Sequence, residues 1–228
     1  MATQCHSRGV EILVDGAHAL GALPISMRDI GADYYVSNAH KWLCNPKGCG
    51  FLYVRTSLQR KVRPLVVSHG YDSGFSSSYI WSGLKDYSPF LALNTVLEFW
   101  QCCGPDKIRH YITTTAREAG EALVKSWGTE LLANSSMFGS MVLVALPDAV
   151  GWTWSPEHGT FTGPFDYSHA ELLQDKLYHN HQIEAPVKAI QGRLYVRISA
   201  HIYNTAQDYA KLAAAVNEIN TQKLSMSG

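Results

Sequence analysis

Apolar residues fall in short runs over the first part of this chain and at helical spacing after residue 87. Val10-Glu11-Ile12-Leu13-Val14 is apolar but for one glutamate, the make-up of a strand buried on both faces of a sheet. Residues 33–37 and Gly50-Phe51-Leu52-Tyr53-Val54 predict two further strands, the last entered through the turn-forming Pro46-Lys47-Gly48. Between the first two strands, Ala19 to Ile30 reads as a loop with at most a short helical turn, because Pro24 stops a long helix. Residues 55–87 are a long Ser- and Gly-rich connection, and loops of that length are usually functional or mobile.

Ser88-Pro89 predicts a helix start, with Ser as N-cap and Pro at the first position. Phe90, Leu93, Leu97 and Trp100 follow at helical spacing until Gly104-Pro105 breaks the helix. A second helix runs from about Asp106 to Trp127, with Ile108, Ile112, Ala119 and Leu123 on one side. Beyond Gly128 the pattern gives a strand at Met141–Leu146, an irregular Trp-, Gly- and Pro-rich loop over 151–167 and a short helix from His169 to His179. Strands at Gln182–Val187 and Arg193–Ser199 flank Gln191-Gly192, and a terminal helix spans Ala206–Asn220 with Asn204 or Thr205 as its cap. The expected organisation is α/β: a partial sheet domain over 1–88, two linking helices over 89–127, and a smaller α+β domain over 128–228.

Composition narrows the function. The 228 residues are 46% hydrophobic and 17% charged, and Lys+Arg and Asp+Glu balance at 19 each, so nucleic acid and anionic membrane surfaces are not expected partners. Five cysteines without a regular framework read as free thiols in a reducing compartment. The N-terminal residues carry no apolar signal region and no run approaches the roughly 20 residues of a membrane span, so a cytoplasmic protein is expected. The ten histidines show no paired metal-ligand spacing.

The chemistry concentrates in Asn38-Ala39-His40-Lys41-Trp42, at the end of the second strand, and in Asp15-Gly16-Ala17-His18, at the end of the first. Alone, Lys41 reads as a surface lysine and Asp15 as a turn-former. Together, an acid and a lysine, each at the end of its own buried strand, match what a pyridoxal phosphate site requires. The lysine amine forms a Schiff base with the cofactor aldehyde, and the carboxylate keeps the ring nitrogen protonated. His18 can meet the cofactor's phenolic oxygen or cap its own loop, and His40 can donate to a phosphate. Trp42 and Leu43 would partly desolvate the lysine, which favours its neutral, nucleophilic form. Cys44, close by in sequence, reads as a buried free thiol.

These motifs, with Gly192-Arg193-Leu194-Tyr195-Val196-Arg197-Ile198-Ser199-Ala200 and the following His201-Ile202-Tyr203-Asn204-Thr205, resemble the class V aminotransferase family, fold-type I pyridoxal phosphate enzymes. The resemblance covers roughly residues 8–220 and is strongest to the branch of isopenicillin N epimerase-like and cysteine desulfhydrase-like enzymes. It implies the C-terminal part of a pyridoxal-phosphate-dependent transferase fold. It assigns Lys41 to the Schiff base and to proton transfer at the substrate α-carbon, Asp15 to the pyridine nitrogen, and His18 to the phenolic oxygen. His40 and Asn38 would hold the phosphate, and Arg197 would clamp the substrate α-carboxylate, a role its guanidinium fork suits. Ser82-Gly83 would reach across a homodimer interface to the partner's phosphate. On the residues alone, Arg197 reads first as a solvent-facing strand arginine and Ser82-Gly83 as a plain turn.

The chain departs from the resemblance in three ways. Many relatives carry Ser or Thr where Asn38 stands. Residues 104–228 contain no cysteine, which argues against the persulfide route of the desulfurases. Relatives are longer, and the part expected upstream of Val10 carries the phosphate-cradling turn and half the sheet. The expected function is pyridoxal-phosphate-dependent chemistry on a small amino acid, most of all as a carbon–sulfur lyase. The alternative is an incomplete fragment or interaction module that binds no cofactor alone.

Overall fold

The computed structural model describes residues 2–147 and 164–224, so most of the irregular loop expected over 151–167 lies outside the described residues. The chain divides into two compact units, Met1–Lys107 and Ile108–Gly228.

The first unit begins with a short helix, α1 (Ala2–His6), and holds a mixed sheet of three strands, β1 (Leu13–Asp15), β2 (Tyr34–Asn38) and β3 (Gly50–Val54), in the order β1-β2-β3. β1 runs parallel to β2 with Asp15 opposite Val36, and β3 runs antiparallel with Gly50 opposite Asn38. The alternation of β2 buries Tyr35 and Ser37. A one-turn helix, α2 (Met27–Ile30), capped by Ser26 and closed by left-handed Gly31 (φ 65), occupies the Ala19–Ile30 stretch.

The strand expected over Val10–Val14 is shorter, later and less buried than its apolar run predicts. β1 lies at the sheet edge, and Leu13 is 61% exposed. Glu11 is the reason the run does not continue inward: it pairs at the surface with Lys61 and accepts from the Tyr34 hydroxyl at 2.7 Å.

Residues 55–87 contain two 3-10 turns, Thr56–Lys61 and Ser77–Tyr79. Helix α3 (Ser88–Cys103) follows, but Ser88 is not its N-cap. Tyr87 holds that position without a side-chain cap bond, and Asp86 Oδ1 accepts from the Ser88 N–H at 2.8 Å instead. Of the helical stripe read from the sequence, Trp100 is buried, whereas Phe90 and Leu97 are exposed.

The second unit takes up nearly all of α4 (Pro105–Trp127) and builds an antiparallel sheet of β4 (Met141–Ala145), β5 (Val187–Ile190) and β6 (Arg193–Ser199) in the order β4-β6-β5. With α5 (Tyr167–His181) and α6 (Ala206–Leu224) the sheet encloses one core. Leu123 of α4, Leu177 of α5 and Val216 of α6 meet Val144 and Val196 there, all at most 1% exposed. Each such side chain contributes about 1.5–3 kcal/mol of transfer free energy.

β5 does not begin at Gln182. That residue takes the left-handed conformation (φ 56) that closes α5, which leaves strand pairing to start at Val187. Gln191 (φ 50) and Gly192 (φ 80) then make a two-residue hairpin whose positive φ values match the strand twist. Among the described residues, no helix is long and apolar enough to cross a membrane.

Candidate active site

Two turns at the carboxyl ends of the parallel pair β1 and β2 carry the candidate chemistry, the position where open α/β sheets bind ligands. After β1, Asp15 Oδ1 accepts from the Ala17 N–H at 3.0 Å and the Ala19 N–H donates to the Gly16 carbonyl at 2.9 Å, folding His18 back. The turn is stitched to β2 by Gly16 N–H to the Val36 carbonyl and by Ser37 Oγ to the Gly16 carbonyl, both 2.8 Å. Gly16 is required at this place because a Cβ there would overlap the Tyr35 ring.

After β2, the loop from Ala39 to Cys49 turns back into β3. It brings Lys41 to His18: Lys41 Nζ donates to His18 Nε2 at 3.2 Å. The His18 ring meets buried Trp42 edge-on, with centroids 6.2 Å apart. Asp15 and His18 are solvent-exposed, while Asn38, His40 and Lys41 are half-buried. The buried Asn38 Oδ1 and His40 Nδ1 have no protein hydrogen-bond partner, so polar atoms beside Lys41 stand ready for a polar ligand.

Tyr35, which the sequence reading did not single out, underlies the site. Its hydroxyl also has no partner. Burial raises its pKa, and the Asp15 carboxylate adds to the rise. The signal for it was the alternation of β2, which places Tyr35 on the face of Ser37.

The other expected site residues lie elsewhere. Ser82 and Gly83 sit in the turn before α3, where Gly83 has φ 94 and its carbonyl accepts from the Tyr87 hydroxyl at 3.0 Å. Trp81 stacks on Tyr87 with ring centroids 5.2 Å apart. Among the described residues, no hydrogen bond joins Ser82 or Gly83 to the Lys41 loop. Arg197 belongs to the second unit, on β6 opposite Leu143. Its N–H donates to the Pro186 carbonyl at 2.8 Å, and its buried Nε has no protein partner.

The chain thus carries an acid at the end of β1 and a lysine in the loop that follows β2, its parallel neighbour. It belongs to the aminotransferase class-V family, which matches residues 1–147. Pyridoxal phosphate is the cofactor of that family.

Among individual proteins, the chain is 36% identical to the probable chloroplastic L-cysteine desulfhydrase of Arabidopsis thaliana, over 93% of this chain and 45% of that protein. It is 29% identical to the isopenicillin N epimerase of Streptomyces clavuligerus, over 95% of this chain and 54% of that protein. Among solved structures, it is similar to the cystine C-S lyase C-DES in complex with cysteine persulfide, with a TM-score of 0.67 and 19% identity over 91% of this chain and 52% of that one. The alanine–glyoxylate aminotransferase of Nostoc sp. also gives a TM-score of 0.67, at 16% identity over 96% of this chain and 56% of that one. The fold is that of the pyridoxal-phosphate-dependent aminotransferases, and the chain spans about half the length of the relatives it matches.

Proposed function

We propose that this chain carries the lysine-bearing half of a pyridoxal phosphate site that acts at the α-carbon of a small amino acid, cleaving a carbon–sulfur bond in a cysteine-like substrate. The observation that carries the reading is the contact of Lys41 with His18 at 3.2 Å, on the turn that follows Asp15. The partnerless buried His40 Nδ1 can donate to a phosphate oxygen, whereas Asn38 Oδ1 only accepts, so Asn38 would reach a phosphate through its amide nitrogen. The choice of carbon–sulfur cleavage rests on the cysteine desulfhydrases among the relatives.

When bound, pyridoxal phosphate supplies an electron sink for the charge left at the α-carbon. Lys41 would supply the amine that holds the cofactor aldehyde and would carry the α-proton. Asp15 would be the carboxylate for the ring nitrogen. His18 would serve the phenolic oxygen, and the Asn38 amide and His40 would serve the phosphate. Arg197 is the guanidinium proposed for the substrate carboxylate. Loss of the α-proton and of the β-thiolate, balanced by one water, converts cysteine to pyruvate, ammonia and sulfide. The absence of cysteine from residues 104–228 accords with direct release of sulfide rather than its capture on a protein thiol.

The working unit in this reading is a homodimer. Leu65, Val66, Val67, Ile80, Trp81 and Leu84, all at least 47% exposed, give the connection that carries Ser82-Gly83 apolar surface that a second copy would cover. A second reading, that the chain is a fragment or interaction module holding no cofactor by itself, is favoured by the edge position of β1 and by its exposed Leu13.

The test is sulfide release from L-cysteine by the chain supplied with pyridoxal phosphate, beside Lys41→Ala. Release well above the variant's background supports the lyase reading, and equal rates overturn it.

A further inference from the structure

The Lys41 loop is gripped from both sides by residues far away in sequence. On one side is α3. Buried Trp100 Nε1 donates to the Leu43 carbonyl at 3.0 Å. Asn45, 5% exposed, donates from Nδ2 to the Pro89 carbonyl in the first turn of α3, and to its neighbour Pro46, both at 3.0 Å. Gly48 (φ 111) lies against the Pro89 ring, where a Cβ would come within 3.2 Å.

On the other side is Gly21 (φ 84). A Cβ there would stand 3.2 Å from Leu43 N and from the Trp42 carbonyl carbon, and 3.3 Å from the Trp100 ring. Inside the loop, Cys44 N–H donates to the Lys41 carbonyl at 3.2 Å and Asn45 N–H to the Ala39 carbonyl at 3.0 Å. Cys44 takes a left-handed φ of 66, a conformation that costs a non-glycine residue free energy and persists only where its surroundings hold it.

We propose that Gly21, Asn45 and Trp100 are positioning residues. They clamp the backbone just after Lys41 between the β1–α2 segment and α3, and so fix where the Lys41 amine is presented. None of them touches the amine. The inference uses the functional reading above only for what Lys41 does once positioned. Without the clamp, the loop would lose its ties to α3, and Lys41 would swing away from His18.

The test measures the chain without cofactor first. Trp100→Phe removes the N–H donor together with part of the indole ring, whereas Asn45→Asp keeps the shape and replaces the amide donor by a carboxylate. Gly21→Ala presses on the loop from the opposite side and serves if either of the others folds poorly. Three readings are taken on each: hydrogen exchange of the Cys44 and Asn45 amides, acetylation of Lys41 relative to exposed Lys125, and capture of pyridoxal phosphate at Lys41 by borohydride.

The clamp predicts amide exchange at least about tenfold faster in the loop, as expected for losing one buried hydrogen bond at Trp100 and two at Asn45, with β2–β3 ladder amides unchanged. It also predicts that acetylation of Lys41 rises while its pyridoxal phosphate capture falls. Those opposite movements are ones a general loosening would not produce. Variants with wild-type loop exchange and wild-type Lys41 labelling overturn the clamp. So do variants in which ladder amides and Lys125 change together with the loop. A wild-type chain that captures no cofactor at Lys41 overturns the functional reading alone, and the exchange and acetylation results then decide the clamp.

Discussion

Asp33 is the buried charge that fastens the N-terminal end of the first unit. Its side chain is 3% exposed, and it meets His6 Nε2 at 2.8 Å, Arg55 Nε at 3.2 Å and the Ile12 N–H at 2.8 Å. Burial pushes its pKa up, but the hydrogen bonds from His6 and Ile12 and the Arg55 charge outweigh that and hold the carboxyl below its ordinary range. A carboxyl lowered in the folded state adds stability that is fully present above the ordinary value of about 3.9 and is lost as pH falls through the folded value. Asp33→Asn should destabilise the chain by about 2 kcal/mol at neutral pH, below the usual cost of breaking a buried pair because its partners His6 and Arg55 are part-exposed. Urea unfolding of both proteins from pH 7 downward checks this. The gap should narrow below pH 4, and a pH-independent gap would contradict the account. At this scale the sequence shows the chemistry but not its supports. Lys41 and Asp15 stand out because each ends an apolar run. Trp100 and Asn45 do not, because their partners lie 57 and 44 residues away and nothing local marks them.

Elements were legible where periodicity and a turn agreed, and misread where a single polar residue decided the boundary. β3 forms over the residues its alternation and preceding turn indicate, and the hairpin between β5 and β6 turns at Gln191-Gly192 as read. β5 starts late because Gln182 closes α5, and Glu11, paired with Lys61 at the surface, stands before the start of β1. The start of α5 was also missed, since its cap sits at the end of a stretch that reads as loop. Asp166 accepts there from the Ser168 and His169 N–H groups at 3.0 and 3.3 Å. Hydrogen bonds from Ser168 and then His169 lower the Asp166 carboxyl to about 2. The cap is therefore complete above the ordinary carboxyl value and is lost as pH falls through about 2. Asp166→Ala should speed hydrogen exchange at Ser168 and His169 while leaving the Leu173–Leu177 turn protected. Unchanged exchange at the first turn would show that the cap holds nothing.

For the whole molecule, the two units differ in how well their apolar surface is covered. The second buries a continuous core under α4, α5 and α6, which explains why helical spacing located those helices well. The first carries a short mixed sheet, an exposed strand edge and apolar side chains on the 62–87 connection and on α3 that face solvent. Periodicity marks which residues are apolar, but not which of them find a neighbour, and this is why α3 was read as more buried than it is. The family and the mixed sheet were legible; the coverage of the sheet was not, because it depends on surfaces outside the runs themselves. The central claim is that Lys41 is the cofactor lysine. The direct measurement is the absorption spectrum of the purified chain with added pyridoxal phosphate, beside Lys41→Ala. The account predicts a visible band distinct from free cofactor, abolished by borohydride and absent from the variant. Identical spectra for wild type and variant would contradict it.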